Sequence, residues 1–304
     1  MKEVMVTGGA GFIGSHLQDA LVEQGHAVTV IDNLSHGLRQ TVNKRATFYE
    51  VDIRNQDQLT AVVKDVRPEV IFHLAAQTDV STSMMYPTVD HDINVRGTVI
   101  LLSAARNLST LETIVFSSSA AVYGDVNQDK LPVVEDCETN PKSFYGLSKL
   151  TGEKYLELFG SEAGFNGIVL RYSNVYGPRQ SILSEGGVIS TFINRTLRGR
   201  AVTINGDGHN TRDYIYVGDI VRANLAAMSY DDSNTFNISS NTEISTQELF
   251  RLITQVLGIE IPPAYGPIRI GDIYRSRLCN QKAIDLLKWI PQVNLTDGIK
   301  RMIE

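Results

Sequence analysis

The first half of the chain alternates short apolar runs with longer mixed stretches. Glu3 to Val6 is apolar, a glycine-rich turn follows, and the stretch from about Ile13 to Glu23 reads as a helix closed by Gly25. Ala27 to Ile31 reads as the next strand. Thr47 to Val51, Val70 to Leu74 and Thr113 to Phe116 are further β-rich runs, separated by polar helical stretches. Strand and helix in alternation imply right-handed crossovers and a parallel sheet covered on both faces. The pattern therefore predicts an α/β fold with a doubly wound parallel sheet.

Past Tyr172 the rhythm breaks. Glycines and short elements dominate through Gly208, then a strand and helix return over Tyr214 to Met228 and a strand over Thr235 to Ile238. The remainder, to Glu304, reads as mostly helical, with a Pro/Gly-rich loop between Pro262 and Gly271. The expected organisation is a large domain of residues 1–171 and 211–238, with a second, smaller α/β lobe of residues 172–210 and 239–304.

Composition narrows the function classes. A chain of 304 residues with 42% hydrophobic and 20% charged content has the make-up of an ordinary soluble globular protein. The net charge of -6 argues against a nucleic-acid partner, yet leaves room for a local basic pocket that takes a diphosphate. Two cysteines, Cys137 and Cys279, do not make a disulfide scaffold, and a reducing cytoplasm is expected. No apolar signal-peptide core and no run of 18 apolar residues stand out, so no membrane is expected. No His, Cys and Asp cluster has metal-ligand spacing, so no metal is expected. His73, on an apolar run, reads as a satisfied core histidine.

The first turn, Thr7-Gly8-Gly9-Ala10-Gly11-Phe12-Ile13-Gly14, carries glycines at 8, 11 and 14 between a strand and a helix. Gly8 permits a tight turn, Gly11 lets a pyrophosphate approach the backbone, and Gly14 lets helix and strand pack closely. The helix N-terminus offers unpaired N–H groups to phosphates. Asp32 lies 18 residues after Gly14, at the end of the next strand. A carboxylate there accepts both hydroxyls of an adenine ribose and repels a 2′-phosphate, which favours NAD over NADP. The competing reading makes Asp32 a turn residue in Asp32-Asn33.

Tyr145 and Lys149 lie four apart at the start of a helical stretch, on one face of it. An ammonium beside a phenol favours the phenolate and lowers its pKa from about 10, so the pair suits proton exchange with a hydroxyl near neutral pH. Ser119 ends a strand, at the edge where open α/β sheets bind ligands. Alone, a Tyr and Lys at this spacing is more often an exposed helix face; with the glycine turn and the serine, the set becomes specific.

At these residues the chain resembles the extended short-chain dehydrogenase/reductase superfamily, in particular the nucleotide-sugar 4-epimerases of the UDP-glucose/UDP-N-acetylglucosamine type. The segments that carry the resemblance are TGGAGFIGSHL, DNLSHG, HLAAQTDV, INVRGT, FSSSAAVYG, YGLSK, RYSNVYGPRQ, NGDGHNTRDYIYVGD and RIGDIYRS, spread over essentially the whole chain. It implies a Rossmann domain holding NAD, a UDP-sugar substrate and a 4-keto intermediate. By it, Gly8, Gly11, Phe12, Ile13, Gly14 and Gly37 shape the cofactor cleft. Asp32, Asn33 and Ser35 hold the adenosine ribose, and Asp52 and Ile53 flank the adenine. Leu74, Ala75, Ala76 and Asn94 line the groove, Tyr172 lies at its edge, and Lys149 bonds the nicotinamide ribose. Tyr145 is the acid/base and Ser119 its partner. Thr78, Asn174, Val188 and Thr203 face the substrate. Arg212 and Arg269 pair with the two phosphates, whose charge suits guanidinium forks, and Asp272 takes the uridine ribose. Ser276 faces the sugar near carbon 2, where a small residue leaves room for an acetamido group; the bland alternative turns it to solvent. The resemblance also implies a homodimer, with helices near Asp92–Arg106 and Tyr145–Ala163 forming a four-helix contact.

The chain departs from the family at Thr78, near a position where some epimerases have a lysine; Thr78 supplies a hydroxyl and no charge. Dehydratases of the superfamily carry an Asp-Glu pair after the catalytic Ser/Thr, and decarboxylases a Glu. Ala120 and Ala121 stand here, and methyl groups cannot do carboxyl chemistry, which weighs against both. A UDP-glucuronate 4-epimerase is the nearer rival. A nucleotide-sensing protein without catalysis could have lost Tyr145 and Lys149, and both are present.

Overall fold

The computed structural model describes residues 1–181, 187–267 and 273–303. The first half alternates as β1 (Glu3–Thr7), α1 (Phe12–Glu23), β2 (Ala27–Asp32), β3 (Thr47–Glu50), α2 (Gln56–Val66) and β4 (Val70–His73). Two short helices, α3 (Val80–Met85) and α4 (Pro87–His91), lead through one π-type turn over Asp92–Arg96 into α5 (Gly97–Ala105). Then come β5 (Thr113–Ser119), the long α6 (Phe144–Ala163), β6 (Asn166–Tyr172) and β7 (Asn174–Tyr176). The Ser143 hydroxyl starts α6 by accepting from the Gly146 N–H at 3.1 Å, and left-handed Gly164 ends it. Farther on are α7 (Val188–Leu197), β8 (Thr203–Asn205), β9 (Thr211–Arg212), β10 (Tyr214–Tyr216), α8 (Val217–Met228) and β11 (Asn234–Ile238). The tail holds β12 (Ile244–Ser245), α9 (Thr246–Leu257), β13 (Ala264–Gly266), α10 (Gln281–Leu287) and α11 (Leu295–Lys300).

Seven strands form one parallel sheet in the order β3-β2-β1-β4-β5-β6-β11, the doubly wound arrangement that the alternation predicts. Strand order reverses between β1 and β4, which opens a crevice at their C-terminal ends. One face packs Leu17 and Leu21 of α1 and Ile220 and Ala223 of α8 over Val4, Val6 and Phe72. The other packs Leu59 and Val63 of α2, Leu101 of α5 and Leu156 of α6 over Met5, Ile31 and Ile114. A third cluster, around Phe192, Ile204, Phe250 and Ile253, lies outside the sheet.

Three features differ from the sequence pattern. β5 runs past Phe116 because Ser117, Ser118 and Ser119 pair with Leu170, Arg171 and Tyr172 of β6, and tertiary pairing overrides the low strand preference of serine. The glycine-rich stretch contains α7, whose Ile189, Phe192, Ile193 and Thr196 face inward at helical spacing. The tail is less helical than expected: β12 pairs with β9 and β13 with β8, so its extended pieces brace residues 203–212. Ala283 and Leu287 of α10, with Trp289, join the core of the large sheet, and the Trp289 indole donates to the Asp219 carbonyl at 2.9 Å.

The buried polar groups of this frame include an ion pair and a histidine. Arg171 grips Glu153 of α6 through Nε (3.0 Å) and Nη2 (2.7 Å), and both side chains are under a tenth exposed. His73 has both ring nitrogens engaged, by Thr7 Oγ1 at 2.7 Å and Thr98 Oγ1 at 2.9 Å. Thr98 donates its own hydrogen to the Asn94 carbonyl, so it accepts from Nε2–H and leaves Nδ1 as the acceptor of the Thr7 hydroxyl. Burial, aided by the Lys149 charge, pulls His73 down to about 3.

Arg171→Met should cost about 3–5 kcal/mol in urea unfolding, because it strands the buried Glu153 charge. Glu153→Met with Arg171→Met should recover most of that loss. His73 makes stability depend on acid. The unfolded imidazole takes a proton near 6.5 and the folded one only near 3. Its contribution is complete above pH 6.5 and drains away as pH falls toward 3. Urea midpoints of His73→Gln should fall less steeply than wild type across that window.

Candidate active site

A cleft of about 650 Å³ opens at the C-terminal edge of the sheet, over the strand-order reversal. The glycine turn forms one wall. Gly8 has φ +70°, and a β-carbon on it would come within 2.6 Å of the Ala75 backbone nitrogen. A β-carbon on Gly14 would collide with the Gly8 carbonyl and approach Gly9 Cα to 2.7 Å, so the third glycine seats the helix on the turn itself. A β-carbon on Gly11 would meet only the Gly8 carbonyl at 3.2 Å, and Gly11 caps α1 with no side-chain bond, which leaves helix N–H groups for phosphates. This cradle fits a dinucleotide.

Asp32 sits at the end of β2, where its carboxylate accepts the N–H of Ala10 (3.0 Å) and of Leu34 (2.8 Å). Burial pushes this carboxyl above its usual range against those two bonds. Each oxygen accepts one of these bonds and keeps acceptor capacity for one hydroxyl of a diol. Asp52 has a different part. Arg54 clasps it through Nε (2.9 Å) and Nη2 (2.7 Å), Asn33 adds a bond at 2.9 Å, and together they hold the carboxyl well below the carboxylate range. Asn33 is thereby turned toward Asp52, and its Oδ1 accepts from the Ser35 N–H at 3.0 Å. Phe12, Ile13, Ser35, Gly37, Ile53, Leu74, Ala75, Ala76 and Tyr172 all line the cleft.

Ser119 and Tyr145 both line the cleft, with the Ser119 side chain near enough to favour the Tyr145 phenolate. Lys149 does not line the cleft. It is buried behind Tyr145, its ammonium 6.0 Å from the phenol centroid, and donates to the Ser117 carbonyl at 2.8 Å. The expected lowering of the phenol is absent from this cleft by itself. Burial pushes Tyr145 up to about 12, the Ser119 bond opposes it, and the charge of Asp90 adds to the rise. Burial likewise pulls Lys149 down to about 8 against the charges of Asp90 and Glu153. Desolvation exceeds Coulomb attraction at this separation.

Asn94 also lies beneath the surface. Its amide donates to the Gln77 carbonyl (3.0 Å), Asp90 Oδ1 (3.1 Å) and Ser148 Oγ (3.1 Å). Thr78, Asn174, Val188, Arg212 and Ser276 line the far end of the cleft, and Arg212 donates to the Thr211 carbonyl at 2.8 Å. Thr203 is not brought there. Val202 and Ile204 point into the third cluster, so strand alternation turns Thr203 to solvent. Arg269 and Asp272 fall outside the described residues. The cleft also recruits Arg54, Gln77, Asp79, Lys142 and Gln180. Gln77 and Asp79 sit in the HLAAQTDV segment and Lys142 just before the Ser143 cap, but none has a spacing that marks it beforehand.

Residues 4–239 match the model of the NAD dependent epimerase/dehydratase family. UDP-glucose 4-epimerase of Mycolicibacterium smegmatis is 40% identical over 306 residues, covering 99% of this chain and 97% of that relative. Among solved structures, UDP-glucose 4-epimerase of Thermotoga maritima with UDP-glucose superposes at a TM-score of 0.96 with 42% identity, covering 99% of this chain and 97% of that one. UDP-glucose 4-epimerase of Thermus thermophilus in complex with NAD superposes at 0.92 with 36% identity, at the same coverage.

Proposed function

This chain belongs to the NAD-dependent epimerase/dehydratase family, and on that premise we propose that it is an isomerase that inverts carbon 4 of a UDP-sugar. The observation that carries the reading is that Ser119 and Tyr145 line the same cleft, beside Ala120 and Ala121. The pair can move a proton at a sugar hydroxyl, and the alanines offer no carboxyl group for dehydration or decarboxylation.

NAD, when bound, supplies the hydride acceptor and, oxidised, a positive charge that favours the phenolate. Gly8 and Gly11 would present the helix N–H groups to its pyrophosphate, with Gly14 seating the helix on the turn. Asp32 would hold its adenine ribose, and Lys149 would keep the family's ribose role in this reading although it lies behind Tyr145. Tyr145 takes the proton of the 4-hydroxyl as carbon 4 is oxidised, with Ser119 bonding the same oxygen. The 4-keto sugar turns about its diphosphate link, and Tyr145 returns the proton after reduction on the other face. Arg212 holds the diphosphate while the sugar turns, with Asn174 and Thr78 at the sugar end. Arg269 and Asp272 keep the family's phosphate and uridine roles in this reading. Residues 172–210 and 239–304 serve as the substrate lobe in this reading, α11 packing in the third cluster while α10 and Trp289 join the core of the large sheet.

The enzyme works as a homodimer in this reading. Phe144, Leu147, Tyr155 and Leu158 of α6 are exposed at a spacing that makes one stripe, beside exposed Met85 and Tyr86. The stretch 92–106 buries Ile100, Leu101, Leu102 and Ala105 against the sheet and leaves Arg96, Ser103 and Arg106 exposed on its other side. The half-buried free thiols Cys137 and Cys279 suit the cytoplasm. No described helix is long and apolar enough to cross a membrane.

Tyr145→Phe should lower kcat about 10²–10⁴-fold, the usual worth of a general acid/base, and leave UDP-sugar affinity by calorimetry largely intact; a variant at wild-type rate removes Tyr145 from the reaction. Ser276 lines the cleft, and a small side chain there leaves space for an acetamido group. The enzyme should therefore interconvert UDP-N-acetylglucosamine and UDP-N-acetylgalactosamine as well as UDP-glucose and UDP-galactose. Ser276→Tyr should suppress the acetylated pair and spare the plain one, read by chromatography with UDP-glucuronate in the same panel. Wild-type turnover of UDP-glucuronate alone would replace this reading with that rival.

A further inference from the structure

Asp213, between β9 and β10, is fully buried, and its carboxylate collects donors from three separate parts of the chain. Oδ1 accepts from the Ser240 N–H at 3.0 Å, the Ser240 hydroxyl at 2.8 Å and the Ser173 hydroxyl at 3.4 Å. Oδ2 accepts from the Leu278 N–H at 3.3 Å. The Asp213 backbone carbonyl accepts from the Asn174 N–H at 2.9 Å. Burial still pushes the carboxyl up to about 6 against these bonds. A carboxylate is costly to bury, and this one sits where it joins segments that no strand of the large sheet joins.

Each of those segments reaches the cleft or borders one that does. Ser173 and Asn174 line it at the start of β7, and Arg212 and Tyr214, on either side of Asp213, line it as well. Ile273 and Ser276 line it from the extended piece that Leu278 ends. That piece has other holds. The Thr211 N–H donates to the Tyr274 carbonyl at 2.9 Å, the Val133 N–H to the Arg277 carbonyl at 2.9 Å and the Cys279 N–H to the Val133 carbonyl at 2.8 Å. Arg275 clasps Glu243, and Arg277 reaches Asn241 at 3.0 Å. These bonds keep the piece in the fold, but none of them joins it to Ser173. The Asp213 carboxylate does, across 40 residues on one side and 65 on the other.

We propose that Asp213 is a positioning residue of the substrate end, whose carboxylate sets the spacing between Asn174, Arg212 and Ser276 and with it the grip on the diphosphate and sugar. The proposal rests on the 4-epimerase reading above. None of the four donors comes from β5 or α6, which carry Ser119 and Tyr145, or from the glycine turn and β2, which carry the cofactor cradle. The role therefore shows in substrate binding and leaves proton transfer and NAD retention alone.

Two variants approach the carboxylate from opposite sides. In Asp213→Asn, three donors converge on the Oδ1 side, so the amide oxygen stays there and the amide NH2 meets the Leu278 N–H, donor against donor. Ser240→Ala removes the shortest of the four bonds, and Ser240 does not line the cleft. NAD-loaded wild type and both variants are assayed on UDP-glucose at about pH 8, where the wild-type carboxyl is ionised. NAD content and urea midpoint are read on the same samples. KM should rise about tenfold in Asp213→Asn and about threefold in Ser240→Ala, the worth of one misplaced and one missing hydrogen bond. The calorimetric Kd of UDP-glucose should follow KM, with kcat within about twofold of wild type, the mark of lost binding rather than lost chemistry. KM unmoved in the variants that retain NAD overturns the proposal. So does a fall in kcat at constant KM, which marks a smaller folded fraction. A wild type inactive on every UDP-sugar would instead defeat the functional reading itself.

Discussion

The approach of Gly8 to the backbone of Ala75 governs much of the geometry above. β1 and β4 are neighbours in the sheet, and the chain leaves their ends in opposite directions. With no β-carbon on Gly8 and a positive φ there, the turn after β1 folds flat against the start of the segment after β4. The crevice above that contact is left open, and everything the cleft uses is hung from its rim. Asp32 comes from β2, Ser119 from β5 and Tyr172 from β6. A side chain at position 8 would push the two walls apart and disperse groups that are useful only together.

The catalytic helix shows how desolvation and charge are balanced. Burial alone drives Tyr145 and Lys149 toward their neutral forms, the wrong state for both. For Lys149 the fold answers with the charges of Asp90 and Glu153, while for Tyr145 Asp90 adds to the effect of burial. Glu153 itself is clasped by Arg171 beneath the helix. Within the protein, burial favours the protonated phenol of Tyr145.

Much of this was legible beforehand for a simple reason. Strand and helix alternate, parallel strands need covered faces, and glycine, aspartate, serine, tyrosine and lysine sat at spacings that local geometry alone makes meaningful. Gly8, Gly11, Asp32, Ser119 and Tyr145 arrive in the cleft because each lies at a strand end or a helix start, where position along the chain is already position in space. Thr203 failed the same test. Its alternation with Val202 and Ile204 turned it outward, which a look at those two apolar neighbours would have suggested. Lys142 and Arg54 were missed because nothing in their local spacing separates them from surface charges.

By itself the sequence determined the doubly wound frame and the glycine turn, and it pointed to an NAD-dependent family and to the residues proposed as the acid/base pair. These follow from periodicity and from groups a few residues apart. Only the tertiary structure decided where charge is balanced. Glu153 meets Arg171 across 18 residues, and Gln77 meets Asp90 across 13. Ser148 meets Asn94 across 54. Whether Lys149 lines the cleft or lies behind it also rests on packing, as does the rise of Tyr145. Ionisation depends on the distance to every neighbouring charge and on the loss of water, and both are properties of the packed interior that no local pattern in a chain can contain.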